Sequence, residues 1–233
     1  MGRVLEAGFN GMALRALREQ VPSDGVRMSS LFIHGEKCQL RILQESDEEA
    51  RAWERGVMGN VTLKYMLTGS TPLRWIDVKQ YWKEAREKGS VHFGIWAPVD
   101  NGMDPVAGQP WDWQFVGVTG LYDPYSVYQN YEFRIMIFHS EQLGKGIGQE
   151  ATWLCTDYAF RKLNAHRVWL GCHEDNAGAI KCYEKCGYFK EGVLRDAIYA
   201  YGKFSHAVRY AMLRGEWEAE CGERGIPSVG VWP

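Results

Sequence analysis

The stretch QLGKGIGQEA, residues 142–151, places Gly144, Gly146 and Gly148 at the mouth of a helix-forming run. Glycine lets successive backbone N–H groups turn towards one point, which makes a concavity for an anion, and a helix N-terminus adds about half a positive charge. Lys145 puts a full charge at the rim. These residue types at this spacing suit a phosphate, although a tight strand-to-helix turn with no ligand has the same composition. The spacing excludes the common nucleotide loops. Gly144-Lys145 runs into Gly146, where a P-loop needs Ser or Thr, and a dinucleotide or kinase glycine loop needs a third glycine where Gln149 stands.

The loop has to be held by a strand before it and a helix after it. YEFRIMIF at 131–138 alternates, so Glu132 faces away from the stripe of Phe133, Ile135 and Ile137. The helix spans about 146–163. It is followed by a strand, HRVWLGC at 166–172, and a second helix, NAGAIKCYEKCG at 176–187, with Asn176 as its cap and Gly187 as its stop. Upstream, 29–43 reads as two short strands about a His34-Gly35 turn. Ser46 and Glu49 form a capping box for a helix to about Met58. A second helix has Thr71 as cap, Pro72 at its first position, apolar Trp75, Ile76, Val78 and Trp82, and its end at Gly89. Strands at 91–99 and 115–123 flank a Gly/Pro/Asp-rich loop, and YFKEGVL at 188–194 is followed by a hairpin at 197–213 turning at Gly202-Lys203. Hairpins early and βαβ units late predict a mixed α/β (α+β) fold.

With GKGIGQEA, DYAF, HRV, DNAGAIKCYEKCGYFKEGVLRD and the closing GKFSHAVRYAML on the page, the chain resembles the GNAT superfamily of acetyl-CoA-dependent N-acetyltransferases over about 31–217. The style is nearest the branch of ribosomal-protein N-terminal and spermidine acetyltransferases. The resemblance implies a central, mixed, splayed β-sheet of about seven strands with helices on both faces. It implies acetyl-CoA as co-substrate and no metal. The pantetheine arm would run along Met136, Ile137 and Phe138, with an N–H near Met136 polarising the thioester carbonyl. The pyrophosphate would meet the loop of Leu143, Gly144, Lys145, Gly146, Ile147, Gly148 and Gln149. Asn176, Ala179 and Tyr183 would contact the cofactor from the following helix. Leu143 departs from the family pattern, which commonly has Arg or Gln there; Gln142 is one residue off.

The implied chemistry is direct attack of a neutral amine on the thioester in a ternary complex, for which a base and an acid are useful. Glu132, fourteen residues before Gly146, matches the base glutamate of histone acetyltransferases of this superfamily; a plain ion pair with Arg134 competes with that reading. Tyr183 matches the family's proton donor near the sulfur, against a packed tyrosine with a wet hydroxyl. The first two helices and the final hairpin would wall the acceptor site. They hold Trp53, Trp75, Tyr81, Trp82, Tyr199 and Tyr201, with Glu45, Asp47, Glu48, Glu49, Glu54 and Asp77 nearby. Those acids could attract a cationic amine, or could be a solvated face over an aromatic core. The acceptor stays open: a small-molecule or peptide amine, such as a polyamine or a protein N-terminus. LGKGIG and AIKCYEKCGY also resemble aminoglycoside 6′-acetyltransferases, which keeps aminoglycosides and amino sugars in view. A non-catalytic acyl-CoA sensor is the alternative of another class, and the pair Glu132 and Tyr183 argues against it.

Composition bounds the rest. A net charge of −2 over 233 residues, with no basic stripe, speaks against a nucleic-acid partner. No run of about 18 apolar residues predicts a membrane span, and the start lacks the apolar segment and cleavage site of a signal peptide, so a cytoplasmic location is expected. The six cysteines include no CxxC; Cys182 and Cys186 share a helix face and read as buried thiols rather than a metal pair. His139, His166 and His173 have neither triad nor metal spacing and read as structural or solvent-facing, and Arg195-Asp196 reads as an ion pair. The expected organisation is an extension at 1–27, one domain at 28–217 and an irregular tail at 218–233. The loop 98–114, with Trp111 and Trp113, would serve as a lid or a homodimer contact.

Overall fold

A computed structural model describes residues 31–59, 74–98, 113–125, 127–200 and 202–225. The expected extension at 1–27, Thr71 and Pro72, Trp111 and Tyr201 lie outside these residues. The elements run β1 (Leu31–His34), β2 (Gln39–Ile42), α1 (Asp47–Gly59), α2 (Trp75–Glu87), β3 (Val91–Pro98), β4 (Trp113–Tyr125), β5 (Asn130–Ile137), α3 (Ile147–Lys162), β6 (Arg167–His173), α4 (Ala177–Lys185), β7 (Phe189–Ala200), β8 (Lys203–Leu213) and α5 (Arg214–Glu223). One sheet of eight strands, one more than the expected count of about seven, has the order β1-β2-β3-β4-β5-β6-β8-β7. Every pairing is antiparallel except β5 with β6. That one parallel joint is what the α3 crossover demands, since parallel neighbours need a long connection.

Side-chain alternation along β5 sends its two stripes into two cores. Phe133, Ile135 and Ile137 join the core under α3, with Ala151, Cys155, Leu170 and Tyr183. Met136 and Phe138 join the core under α1 and α2, with Leu43, Ala50, Val57, Val78 and Trp82. Helices thus cover both faces of the sheet. The Ser46–Glu49 box caps α1 as the sequence predicts: Ser46 N–H donates to Glu49 Oε2 at 3.1 Å, and Glu49 N–H to Ser46 Oγ at 3.2 Å.

The expected irregular tail at 218–233 is corrected over its first part, and 226–233 lie outside the described residues. Residues 214–223 form α5, although Gly215 and Gly222 lower its intrinsic helicity. Packing overrides propensity: Trp217 and Cys221, four apart, are fully buried, and Trp217 stacks on Phe160 with ring centres 5.3 Å apart. Its indole N–H donates to Asp157 Oδ1 at 2.9 Å, and burial of such a ring contributes about 3 kcal/mol. A second correction concerns Asp196. It does not pair with Arg195 among the described contacts; its N–H donates to His206 Nδ1 at 3.1 Å, at a positive φ of 51° where β7 slips register against β8.

Candidate functional site

The site begins where the sheet stops being continuous. β5 and β6 pair only through Asn130–Arg167, Tyr131–Val168 and Glu132–Trp169, and then part, β5 staying with β4 and β6 with β8. The direction of each backbone group along the gap follows from two hydrogen bonds. Phe138 N–H donates to the Val116 carbonyl at 2.8 Å, and Thr119 Oγ1 donates to the Arg134 carbonyl at 3.0 Å. Strand backbone groups alternate sides, so Arg134, Met136 and Phe138 are turned to β4, while Ile135 and Ile137 are turned to the gap. Near Met136, the backbone donors that face the gap are those of Ile135 and Ile137. The side chains of Met136 and Phe138 are buried under α1 and α2 and present no surface there.

The glycine loop stands at the end of β5. A single 3-10 turn, Ser140–Gln142, carries the chain from β5 to Leu143. Gly144 and Gly146 have φ of 78° and 86°, left-handed values that L side chains rarely adopt. Gly146 is the N-cap of α3 and no side chain caps that end, so the N–H groups of Ile147, Gly148 and Gln149 have no intrahelical acceptor. A Cβ on Gly148 would lie 4.0 Å from Ile137 Cγ1, and one on Gly144 would meet nothing within 4 Å. There is room for an anion, with donors aimed at it. Lys145 is exposed at the rim. The polar side chain missing at position 143 is not supplied by its neighbour: Leu143 is 57% exposed, whereas Gln142 is only 8% exposed.

Helix α4 closes the third side. Asn176 Oδ1 accepts the Ala179 N–H at 3.1 Å, the cap the sequence predicts. That amide is thereby occupied within the protein. α4 is tied to α3 by the Cys186 thiol, which donates to the Gln149 carbonyl at 3.4 Å, and by Thr152 Oγ1 against Cys182 Sγ at 3.7 Å. Tyr183 is 7% exposed, with the Tyr188 and Tyr210 rings each 6.3 Å away. Burial raises its phenol well above the usual tyrosine range, with Cys172, Cys182 and Cys186 adding to the shift, so the hydroxyl keeps its proton at any ordinary pH. Cys182 moves the other way, lowered because Cys186 hydrogen-bonds to it. His173 is structural, its Nε2 sharing a hydrogen bond with Ser205 Oγ at 2.8 Å.

The opposite face of the gap is polar and already knit together. Glu132 Oε2 accepts from Arg134 Nη2 at 2.6 Å, the ion pair that competed with a catalytic reading. Arg134 Nη1 also donates to Tyr81 on α2 at 3.0 Å, and its guanidinium lies 4.5 Å from the Tyr122 ring centre. His92, 8% exposed with a buried Nε2 that has no partner among the described residues, lies 4.8 Å from that ring; burial, then Arg86 and Arg134, lower it to about 4. The acids expected to attract an amine are largely committed: Glu45 to Arg86, Asp47 to Lys79, Asp77 to Arg74, and Glu49 to the α1 cap. Trp53, Tyr81 and Trp82 pack as an aromatic core between α1 and α2, while Tyr199 is exposed against Phe204. The two candidate groups thus lie on opposite faces of the sheet, Glu132 on the α1/α2 side with Arg134 and Tyr183 in the core under α3.

Sequence reasoning missed one contact of the loop. Glu150, in the first turn of α3, accepts the backbone N–H groups of Glu36, Lys37 and Cys38 at 2.9, 2.7 and 2.7 Å. The partners are 112–114 residues apart, and no local pattern signals them.

These features coincide with a known family. The acetyltransferase (GNAT) domain matches residues 39–188, from β2 to the stop of α4. The chain belongs to the GNAT acetyltransferases. Spermidine N(1)-acetyltransferase of Escherichia coli (strain K12) is 31% identical over 109 residues, 47% of this chain and 58% of that protein. A putative ribosomal N-acetyltransferase, YdaF of Bacillus subtilis (strain 168), is 32% identical over 120 residues, 52% of this chain and 64% of that protein. The chain therefore spans less than two thirds of the length of these curated relatives. Among solved structures, spermidine N-acetyltransferase from Vibrio cholerae in complex with CoA and spermine superposes with a TM-score of 0.64, covering 78% of this chain and 99% of that one at 19% identity. The GNAT fold, with its splayed sheet, is thereby shared. No helix among the described residues is long and apolar enough to cross a membrane.

Proposed function

We propose that this GNAT chain transfers the acetyl group of acetyl-CoA to a primary amine, with polyamines as the acceptor class. The observation that carries the reading is the parting of β5 and β6 after residues 132 and 169, with the uncapped α3 amides at one end of the gap. A pantetheine arm is a strand-like amide chain, and the unpaired backbone of Ile135 and Ile137 is what such a chain would pair with. Coenzyme A supplies the thioester and the thiolate leaving group; the protein orients the two substrates and moves protons.

Glu132 is the proposed proton acceptor for the attacking ammonium, directly or through water. Arg134 Nη2 donates to Oε2 and holds the carboxylate at the point where β5 and β6 part. Tyr183 is the proposed donor to the leaving thiolate. Its buried phenol is protonated at any ordinary pH, and because burial also weakens it as an acid, the transfer depends on the basicity of a thiolate leaving beside it. Polyamines are favoured over amino sugars by the similarity to spermidine N(1)-acetyltransferase. A peptide N-terminus is the second reading, favoured by the similarity to the putative ribosomal enzyme and by Arg134, a cation in the acceptor face that could meet a peptide carbonyl.

The test is release of CoA thiol from acetyl-CoA across spermidine, spermine, kanamycin-type sugars and peptide N-termini. Turnover with the polyamines supports the proposal. Turnover with peptides alone moves the assignment to the second reading. Acetyl-CoA binding with no release for any amine would leave only a sensor.

A further inference from the structure

The glycine loop has an exposed Leu143 where the family pattern commonly brings Arg or Gln, and a residue more than a hundred positions earlier lies against Gly146. The turn between β1 and β2 is pinned against the start of α3. Both carboxylate oxygens of Glu150 are filled by the backbone N–H groups of Glu36, Lys37 and Cys38. Gly35 permits this approach, because a Cβ there would collide with the Glu150 carboxylate. Cys38 is fully buried beside them, its thiol 3.9 Å from the Ile147 carbonyl. The pinned turn throws the Lys37 side chain across Gly146: a Cβ on that glycine would lie 2.7 Å from Lys37 Nζ and 3.2 Å from its Cδ. Lys37 is exposed, and no described carboxylate forms an ion pair with it. Glu150 is hydrogen-bonded to three backbone amides of this turn rather than ion-paired with the Lys37 ammonium.

From this juxtaposition we infer that Lys37 is a cofactor-binding residue, which supplies the positive side chain for the pyrophosphate of coenzyme A that Leu143 cannot, with Glu150 as the residue that positions it. The inference rests on the coenzyme A reading above and adds to it a ligand from outside the loop. An ammonium over the N-terminus of α3 shares one anion with the uncapped amides, the combination of fixed dipoles and a mobile cation that phosphate sites use. The long flexible stem lets the ammonium move aside as the anion enters, which a cation fixed on the loop could not do.

The experiment is calorimetric binding of CoA, dephospho-CoA and pantetheine to the full chain and to Lys37→Met, which keeps the aliphatic stem and loses the charge. Lys37→Met should weaken CoA about tenfold, a charge-assisted hydrogen bond at a partly wet site. It should weaken dephospho-CoA by the same factor, leave pantetheine unchanged and flatten the salt dependence of CoA affinity. Glu150→Gln should weaken CoA less, and should add nothing on top of Lys37→Met. Equal CoA affinity of Lys37→Met and the parent chain overturns the inference while leaving the coenzyme A site intact. So does an equal loss for pantetheine, which would mean a damaged hairpin, or a loss that vanishes with dephospho-CoA, which would put the lysine on the 3′-phosphate. A parent chain that does not bind CoA overturns both this and the reading beneath it.

Discussion

The two sides of the β5–β6 gap are built on different principles. The α3/α4 side offers backbone: uncapped amides at the start of α3, two glycines at φ near 80° and strand groups at Ile135 and Ile137 with no neighbouring strand. The α1/α2 side offers side chains, and most are already spoken for, as Glu132–Arg134–Tyr81, Glu45–Arg86 and Asp47–Lys79. A cofactor common to a whole family can be held by backbone, which mutation hardly touches. An acceptor that differs between members has to be chosen by side chains, and under the proposed function an amine would displace or join an existing network. Substitutions on the first side should therefore act on cofactor affinity, and on the second on the acceptor.

Substitutions can break that contrast. Tyr183→Phe is expected to lower kcat about 100-fold or more, with CoA affinity unchanged, in steady-state kinetics paired with calorimetry. Equal turnover would remove the proposed acid. Glu132→Gln should lower kcat about 100-fold, while Arg134→Met, which frees Oε2, should act mainly on KM for the amine; the reverse split would make the ion pair merely structural. Gly146→Val is expected to weaken CoA about tenfold with amine KM unchanged, since a β-branched side chain at φ of 86° is strained and meets Lys37.

A smaller effect concerns pH. His92 is lowered from 6.5 to about 4 in the fold, so the unfolded chain binds the proton first. Its contribution to stability is complete above pH 6.5 and is lost as pH falls towards about 4, on the order of 3 kcal/mol at most. His92→Gln should flatten Tm against pH in that window, by calorimetric scans; an unchanged slope would assign the acid sensitivity elsewhere.

How much of this was legible in the sequence follows the same contrast. The loop, the Asn176 cap and the Ser46–Glu49 box are local patterns, a few residues long, and each stands in the structure as expected. Alternation along 131–138 gives the two stripes of β5, but not which backbone groups are used by β4; that depends on the register with a strand fourteen or more residues away, and it selects Ile135 and Ile137 as the groups near Met136 that face the gap. The Glu150 clamp joins segments more than a hundred residues apart and leaves no periodic trace. The signal for α5 is the Trp217–Cys221 spacing, a single pair four residues apart in a segment whose two glycines weaken any helical pattern. Whether Glu132 is more than the partner of Arg134 was undecided in the sequence, since residues two apart on a strand share a face by construction.

The central claim is that the gap beside β5 receives the cofactor, and backbone hydrogen exchange tests it most directly. In the free protein the Ile135 and Ile137 amides should exchange fast while those of Met136 and Phe138, turned to β4, are protected. Adding CoA should slow Ile135 or Ile137 at least tenfold, the gain expected from one new buried hydrogen bond. Saturation with CoA that leaves both amides unchanged would contradict the account.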